Sequence, residues 1–210
     1  MPRTDLEPLA RTFADSITRV LNQTVTDGLR LSAVIPPGTR GLVFVGHQLT
    51  KRQIVVDEAF PLTRGRDRQL FLSVFFKLQL DADAQHLTVG SSSFGIYETP
   101  DMLSGALFRY EYERDKTDGF AEAHLHLHAD WTIGGTQSSK LHLPLGDRRF
   151  RPCLEDLLQF LIVEGGATPR DAQWQAVLDA SRAEFHEQQI RALIRRDPAL
   201  ARRVLAELDL

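Results

Sequence analysis

Three histidines, His124, His126 and His128, alternate with Leu125 and Leu127 in the stretch Ala121 to Trp131, whose even positions are Glu122, His124, His126, His128 and Asp130. Its odd positions are Ala121, Ala123, Leu125, Leu127, Ala129 and Trp131. Side chains of a β-strand alternate between its two sides, so the five polar groups share one face. Imidazole titrates near pH 6.5, so adjacent histidines can supply a base and an acid at neutral pH. An arginine beside them can stabilise phosphorane-like or oxyanionic charge. Such a set suits metal-independent cleavage of a phosphodiester, or nucleotidyl transfer.

The stretch just upstream, Ala106 to Glu113, sets Phe108, Tyr110 and Tyr112 against Arg109, Glu111 and Glu113. Packing its aromatic side with Leu125 and Leu127 brings the polar faces of the two strands together. An antiparallel register sets Arg109 opposite either His124 or His126. Downstream, His142 lies between Leu141 and Leu143 and joins the same face if its strand pairs beside His128. A metal site is the other chemistry that this pattern suits. Two residues along a strand cover about 6.6 Å, so His124 and His128 lie about 13 Å apart and cannot both reach one zinc. At most two of the three bind, with His142, Glu111 or Asp130 as third ligand. The plain alternative is the polar outer face of an antiparallel sheet; it explains the alternation but explains less well the choice of histidine three times running.

The elements that must hold these residues are legible in outline. Thr4 and Glu7 have capping-box spacing, and Leu6, Leu9, Phe13, Ile17, Val20 and Leu21 recur at helical steps. Strands are predicted over Leu29 to Ile35, Leu42 to Leu49 and Gln69 to Leu80, with Arg52 to Val56 either a strand or a helical turn. His86 to Tyr97 is a further strand, with a bulge expected around Gly90-Ser91-Ser92-Ser93 and Gly95. A Gly134-Gly135 loop leads to a strand from Lys140 to Leu145. Pro152 then opens a helix with Leu154, Leu157, Leu158, Leu161 and Ile162 on one side, stopped by Gly165-Gly166. Thr168-Pro169-Arg170-Asp171 and Asp197-Pro198 start two more helices. The expected fold is a single α+β domain: an N-terminal helix over 1–28, an antiparallel sheet of about six to eight strands over 29–150, and a helical region over 151–210. A separate C-terminal lobe from about Thr168 is the alternative.

Composition narrows the class. A chain of 210 residues with 42% hydrophobic and 25% charged residues is ordinary globular material, which excludes disorder, collagen and coiled coil. A net charge of -3 excludes a broad basic surface for nucleic acid, so an RNA or nucleotide needs a local group of arginines. One cysteine, Cys153, forms no internal disulfide and favours a reducing, cytoplasmic setting. No apolar run approaches the ~20 residues of a membrane helix, so no membrane association is expected. His47, His86 and His186 read as surface or capping residues, and Arg64-Gly65-Arg66-Asp67-Arg68 as a solvated loop.

The run from His124 to Asp130 resembles the histidine-triad motif of nucleotide hydrolases and transferases, with Asp130 at a position that the motif keeps apolar. That resemblance implies that His126 attacks a phosphate while His124 and His128 flank it. A broader likeness runs from Phe108-Arg109-Tyr110-Glu111-Tyr112 through Ala123-His124-Leu125-His126 to Arg148-Arg149-Phe150-Arg151-Pro152 and the following helix. It is similar to toxin components of bacterial toxin-antitoxin modules, and implies RNA cleavage and an antitoxin partner. The expected catalytic set is His124, His126, His128, Arg109, Glu111 and His142, working on RNA or a nucleotide without a cofactor. The alternatives are a non-catalytic protein that oligomerises or binds a partner through its C-terminal helices, and a metal-dependent enzyme with histidine and carboxylate ligands.

Overall fold

A computed structural model describes residues 6–39, 41–63, 69–81, 86–133, 136–147 and 151–208, with backbone alone over 129–133 and 136–140. Helix α1 (Leu6–Thr24) is followed by strands β1 (Leu31–Val34), β2 (Leu42–His47), β3 (Phe60–Pro61), β4 (Phe71–Leu80), β5 (Leu87–Tyr97), β6 (Phe108–Glu113), β7 (Ala123–Ile133) and β8 (Thr136–Gly146). Helices α2 (Leu154–Val163), α3 (Trp174–Arg196) and α4 (Pro198–Glu207) complete the chain. All eight strands join one antiparallel sheet in the order β1-β2-β4-β5-β6-β7-β8, with β3 continuing the row of β2 along β4. The α+β class, the sheet and the terminal helices agree with expectation. Among the described residues no helix is long and apolar enough to cross a membrane.

The hydrophobic core forms where one sheet face meets the helices. Ala10, Ala14, Ile17 and Leu21 of α1, Leu157, Leu158 and Leu161 of α2, and Leu178 of α3 are buried with Leu72, Val74, Phe76 and Leu78 of β4 and Phe94 and Ile96 of β5. Even positions of β4 enter this core because a strand presents alternate residues to one side. Phe13 meets Phe76 edge to face at 4.9 Å, and Phe160 meets Phe108 at 5.7 Å, an arrangement that aromatic quadrupoles favour. Leu178 lies in the same buried cluster as α1 and the sheet, and Arg170 donates to the backbone oxygens of Asn22 and Thr26 and pairs with Asp27. The C-terminal region is thereby tied to α1. Ser181 and Arg182 still bond Glu155, Asp156 and Gln159 of α2, and further along the helices Ile190, Ile194, Val204, Leu205 and Leu208 are exposed.

The opposite sheet face is covered only in part. Val56 and Leu49 pack there with Val34, Phe44 and Phe75, while Ala59, Ala106 and Met102 pack on Tyr97 and Phe71. The stretch Arg52 to Val56 is therefore neither strand nor helical turn; it is irregular backbone whose apolar side chains cover β2 and β4. Gly46 makes room for it, because a Cβ there would stand 2.8 Å from Val56 Cγ2. Gly90 is the extra residue of a bulge, since Lys77 pairs with Ser91 and Leu78 with Val89, as the glycine-serine run predicts. β8 is longer than Lys140 to Leu145, because it pairs with β7 back to Thr136 and Ile133. The first residues of α3 correct another expectation: the helix begins at Trp174, and Thr168 to Asp171 form the connection. Thr4, Arg64 to Arg68, Gly134-Gly135 and Arg148 to Phe150 lie outside the described residues.

Candidate functional site

Cover on the second face ends at Tyr97, and the polar groups of β6, β7 and β8 begin beside it. Pairing fixes their order. Arg109 stands opposite His126 and Glu111 opposite His124, which selects one of the two registers compatible with the sequence. On the far side of β7, His142 stands opposite His126, and Lys140 takes the place beside His128. His142 joins the face, two residues along from the position expected for it.

Three of the four histidines converge. Ring centroids are 4.7 Å apart for His124 and His126, 4.3 Å for His126 and His142, and 5.7 Å for His124 and His142. His124 and His126 are only 2% and 3% exposed, whereas His142 is half-buried at the edge strand. His128 is exposed, with its ring 6.3 Å from that of His126, and stays outside this group. Asp130 lies in the segment described by backbone alone. His86 and His186 are exposed and distant along the chain, and Cys153 is buried at the start of α2, where burial raises its thiol pKa well above the ordinary value and Glu155 and Asp156 add to the effect.

Glu111 joins the imidazoles to Arg109. One carboxylate oxygen, Oε1, lies 2.7 Å from Arg109 Nε, while Oε2 lies 3.3 Å from His126 Nε2 and 3.5 Å from His124 Nε2. Arg109 Nη2 is 3.3 Å from His126 Nδ1. A guanidinium only donates, so this contact assigns the neutral His126 proton to Nε2, which lies 3.3 Å from Glu111 Oε2. His124 is assigned the other way: its Nδ1 lies 2.9 Å from the Ala121 carbonyl oxygen, which only accepts, so Nδ1 carries a proton and, in the neutral ring, Nε2 the lone pair. The two buried rings thus present opposite tautomers to one carboxylate.

Two further side chains complete the site, neither of them expected. The ring of Tyr97 lies across Gly95, where an added Cβ would come within 2.7 Å of it, and its hydroxyl accepts a hydrogen bond from Arg109. Burial raises the Tyr97 pKa, and the positive charge of Arg109 opposes the rise. Phe120, on the turn between β6 and β7, stacks on His142 with centroids 4.3 Å apart and keeps 47% of its surface exposed. The signal for Tyr97 was a strand glycine two residues before an aromatic, a spacing that lets the ring fold back over the bare backbone. Phe120 stands in a turn, where periodicity carries no information.

Chemically the site offers a held cation, a carboxylate and three imidazoles on the last three strands of the sheet. It can bind an anion, move a proton, or ligate a metal through nitrogen and oxygen. No family model, curated protein or solved structure matches the chain.

Proposed function

We propose that the polar face of β6, β7 and β8 is a catalytic centre that cleaves a phosphate ester, with RNA or a nucleotide as substrate. One observation carries the reading: Arg109, aligned by Tyr97 and Glu111, lies 3.3 Å from His126 inside an imidazole-carboxylate set. A guanidinium matches two phosphate oxygens at once and keeps its charge at any physiological pH. Cleavage needs one proton removed from the attacking oxygen and one delivered to the leaving oxygen, and the network around Glu111 supplies groups for both. The Arg109 side chain keeps 31% of its surface exposed, which leaves the guanidinium within reach of a ligand. The toxin-like reading adds a cytoplasmic setting and an antitoxin partner. The test is phosphoester cleavage by the wild type and by Arg109→Lys, with the variant expected to lose affinity for phosphate esters.

A second reading, an interaction protein, is favoured by the exposed Ile190, Ile194, Val204 and Leu205 on α3 and α4. Under it, a chain ending at Arg196 loses associated mass in light scattering relative to the full chain. Unchanged mass contradicts it.

A further inference from the structure

One nitrogen from each of His124, His126 and His142 can be chosen so that all three lie within 4.8 Å of one another. Tetrahedral zinc, with Zn–N bonds of about 2.0–2.1 Å, spaces its nitrogen ligands about 3.4 Å apart. The largest separation therefore has to close by roughly 1.4 Å, a side-chain adjustment that needs no movement of the strands. The ligands stand on adjacent strands in fixed register, His142 across from His126 and Glu111 across from His124. A site built on paired strands holds its geometry better than one built on loops.

A separate observation points to a cation at the same place. The Ala121 carbonyl holds a proton of His124 on Nδ1, so Nε2 is the nitrogen left to take a ligand, and it lies 3.5 Å from Glu111 Oε2. A neutral imidazole nitrogen and a carboxylate oxygen at that distance repel unless a proton or a metal ion lies between them. The carbonyl-held Nδ1–H is also the outer contact that ligating histidines normally make, because it fixes the tautomer and aims the other nitrogen. Glu111 is steadied from behind in the same way, by Arg109 on Oε1.

We propose that His124, His126 and His142, with Oε2 of Glu111, bind one divalent transition-metal ion of the zinc class. Imidazole with a single carboxylate suits zinc, cobalt, nickel or iron and does not suit magnesium or calcium, which prefer oxygen ligands. At His126 the ion takes Nε2; the proton moves from Nε2 to Nδ1, and Arg109 turns from that nitrogen onto Glu111 and Tyr97. No net proton is released at that ring. The inference rests on the same site as the proposed function but not on its reaction. If both hold, the ion would add Lewis-acid chemistry beside the phosphate that Arg109 keeps.

The test uses the full chain, stripped with a chelator and titrated with Zn²⁺ against a chromophoric competitor; Co²⁺ absorption in the visible gives a second readout. One equivalent is expected to bind. His142→Ala is expected to weaken binding by at least about 100-fold, beyond the 10- to 100-fold typical of removing an outer contact, while His128→Ala leaves it unchanged. His142 is half-buried on the edge strand, so its variant is the decisive one if His124→Ala or His126→Ala fails to fold. No saturable binding by the wild type overturns the inference, as does a His128→Ala variant that loses as much as His142→Ala. Metal bound without phosphoester cleavage keeps this inference and removes the proposed function. Cleavage by a wild type that binds no metal removes this inference and keeps the function.

Discussion

His126→Ala is expected to lower phosphoester cleavage by about 1,000-fold, within the 10²–10⁴ range for loss of a positioned proton-transfer group. This ring joins the arginine to the carboxylate and to both other imidazoles. Its Nδ1 meets Arg109 at 3.3 Å, its Nε2 meets Glu111 at 3.3 Å, and its ring lies 4.3 Å from His142 and 4.7 Å from His124. Removing the imidazole separates the arginine from the proton-carrying groups whether the ring serves as acid, base or ligand. The fold survives, because Arg109 and Glu111 keep their contact at 2.7 Å. The buried gap and the lost hydrogen bonds cost about 1–3 kcal/mol. For a chain of this length that lowers Tm by roughly 2–12 °C. Thermal unfolding beside kcat/KM separates the two effects. An active His126→Ala protein contradicts the role, and so does one that loses activity only in proportion to its unfolded fraction.

Glu111→Gln is expected to give the second large effect, a loss of roughly 100-fold in cleavage with a loss of about 1–3 kcal/mol in stability. The stability figure lies below that for a fully buried pair because the Arg109 and Glu111 side chains keep 31% and 27% exposure, and solvent screens them. Glutamine fills nearly the same volume but leaves the guanidinium without its counter-charge. A titration of Tyr97 reads the change directly. Burial is the largest cause of its raised pKa, Arg109 lowers it, and the negative charge of Glu111 raises it. Removing that charge leaves Arg109 unopposed, so the phenol ionises at lower pH in Glu111→Gln than in the wild type. Tyr97 keeps its proton in the folded state above the ordinary value near 10. Its contribution to stability is thus present below that pH and is lost as the pH rises through the folded value. Ultraviolet absorbance of the phenolate against pH checks the direction, and an unchanged Tyr97 titration contradicts the coupling.

Much of the fold was written in periodicity. The even positions of β4 from Leu72 to Leu78 and the heptad-like spacing of α1 from Ala10 to Leu21 mark elements that bury one face in the common core. What periodicity does not encode is what covers the other face. Val56 packs near Gly46 from an irregular segment, and only the fold shows that this segment covers β2 and β4 and not β6 to β8. The same division holds at the site. Alternation puts His124 and His126 on the face of Arg109 and Glu111, but register is a property of pairs of strands. The shift that brings His142 opposite His126, and leaves His128 opposite Lys140, comes from an irregularity in the β7–β8 ladder between His128 and Trp131. Tyr97 and Phe120 reach the site by folding over a glycine and by stacking from a turn, and neither contact has a spacing rule.

The most direct measurement of the central claim is the pair of kcat and KM values for cleavage of a ribonucleotide phosphodiester by the wild type and by Arg109→Lys. Lysine keeps the charge but loses the two-point match to phosphate, which costs about 1.5–3 kcal/mol of charge-assisted hydrogen bonding. A rise in KM of roughly 10- to 100-fold for the phosphodiester is expected, with no matching change for an uncharged ester of the same leaving group. A wild-type protein that cleaves no phosphate ester contradicts the account, as does an Arg109→Lys variant that handles charged and uncharged esters as the wild type does.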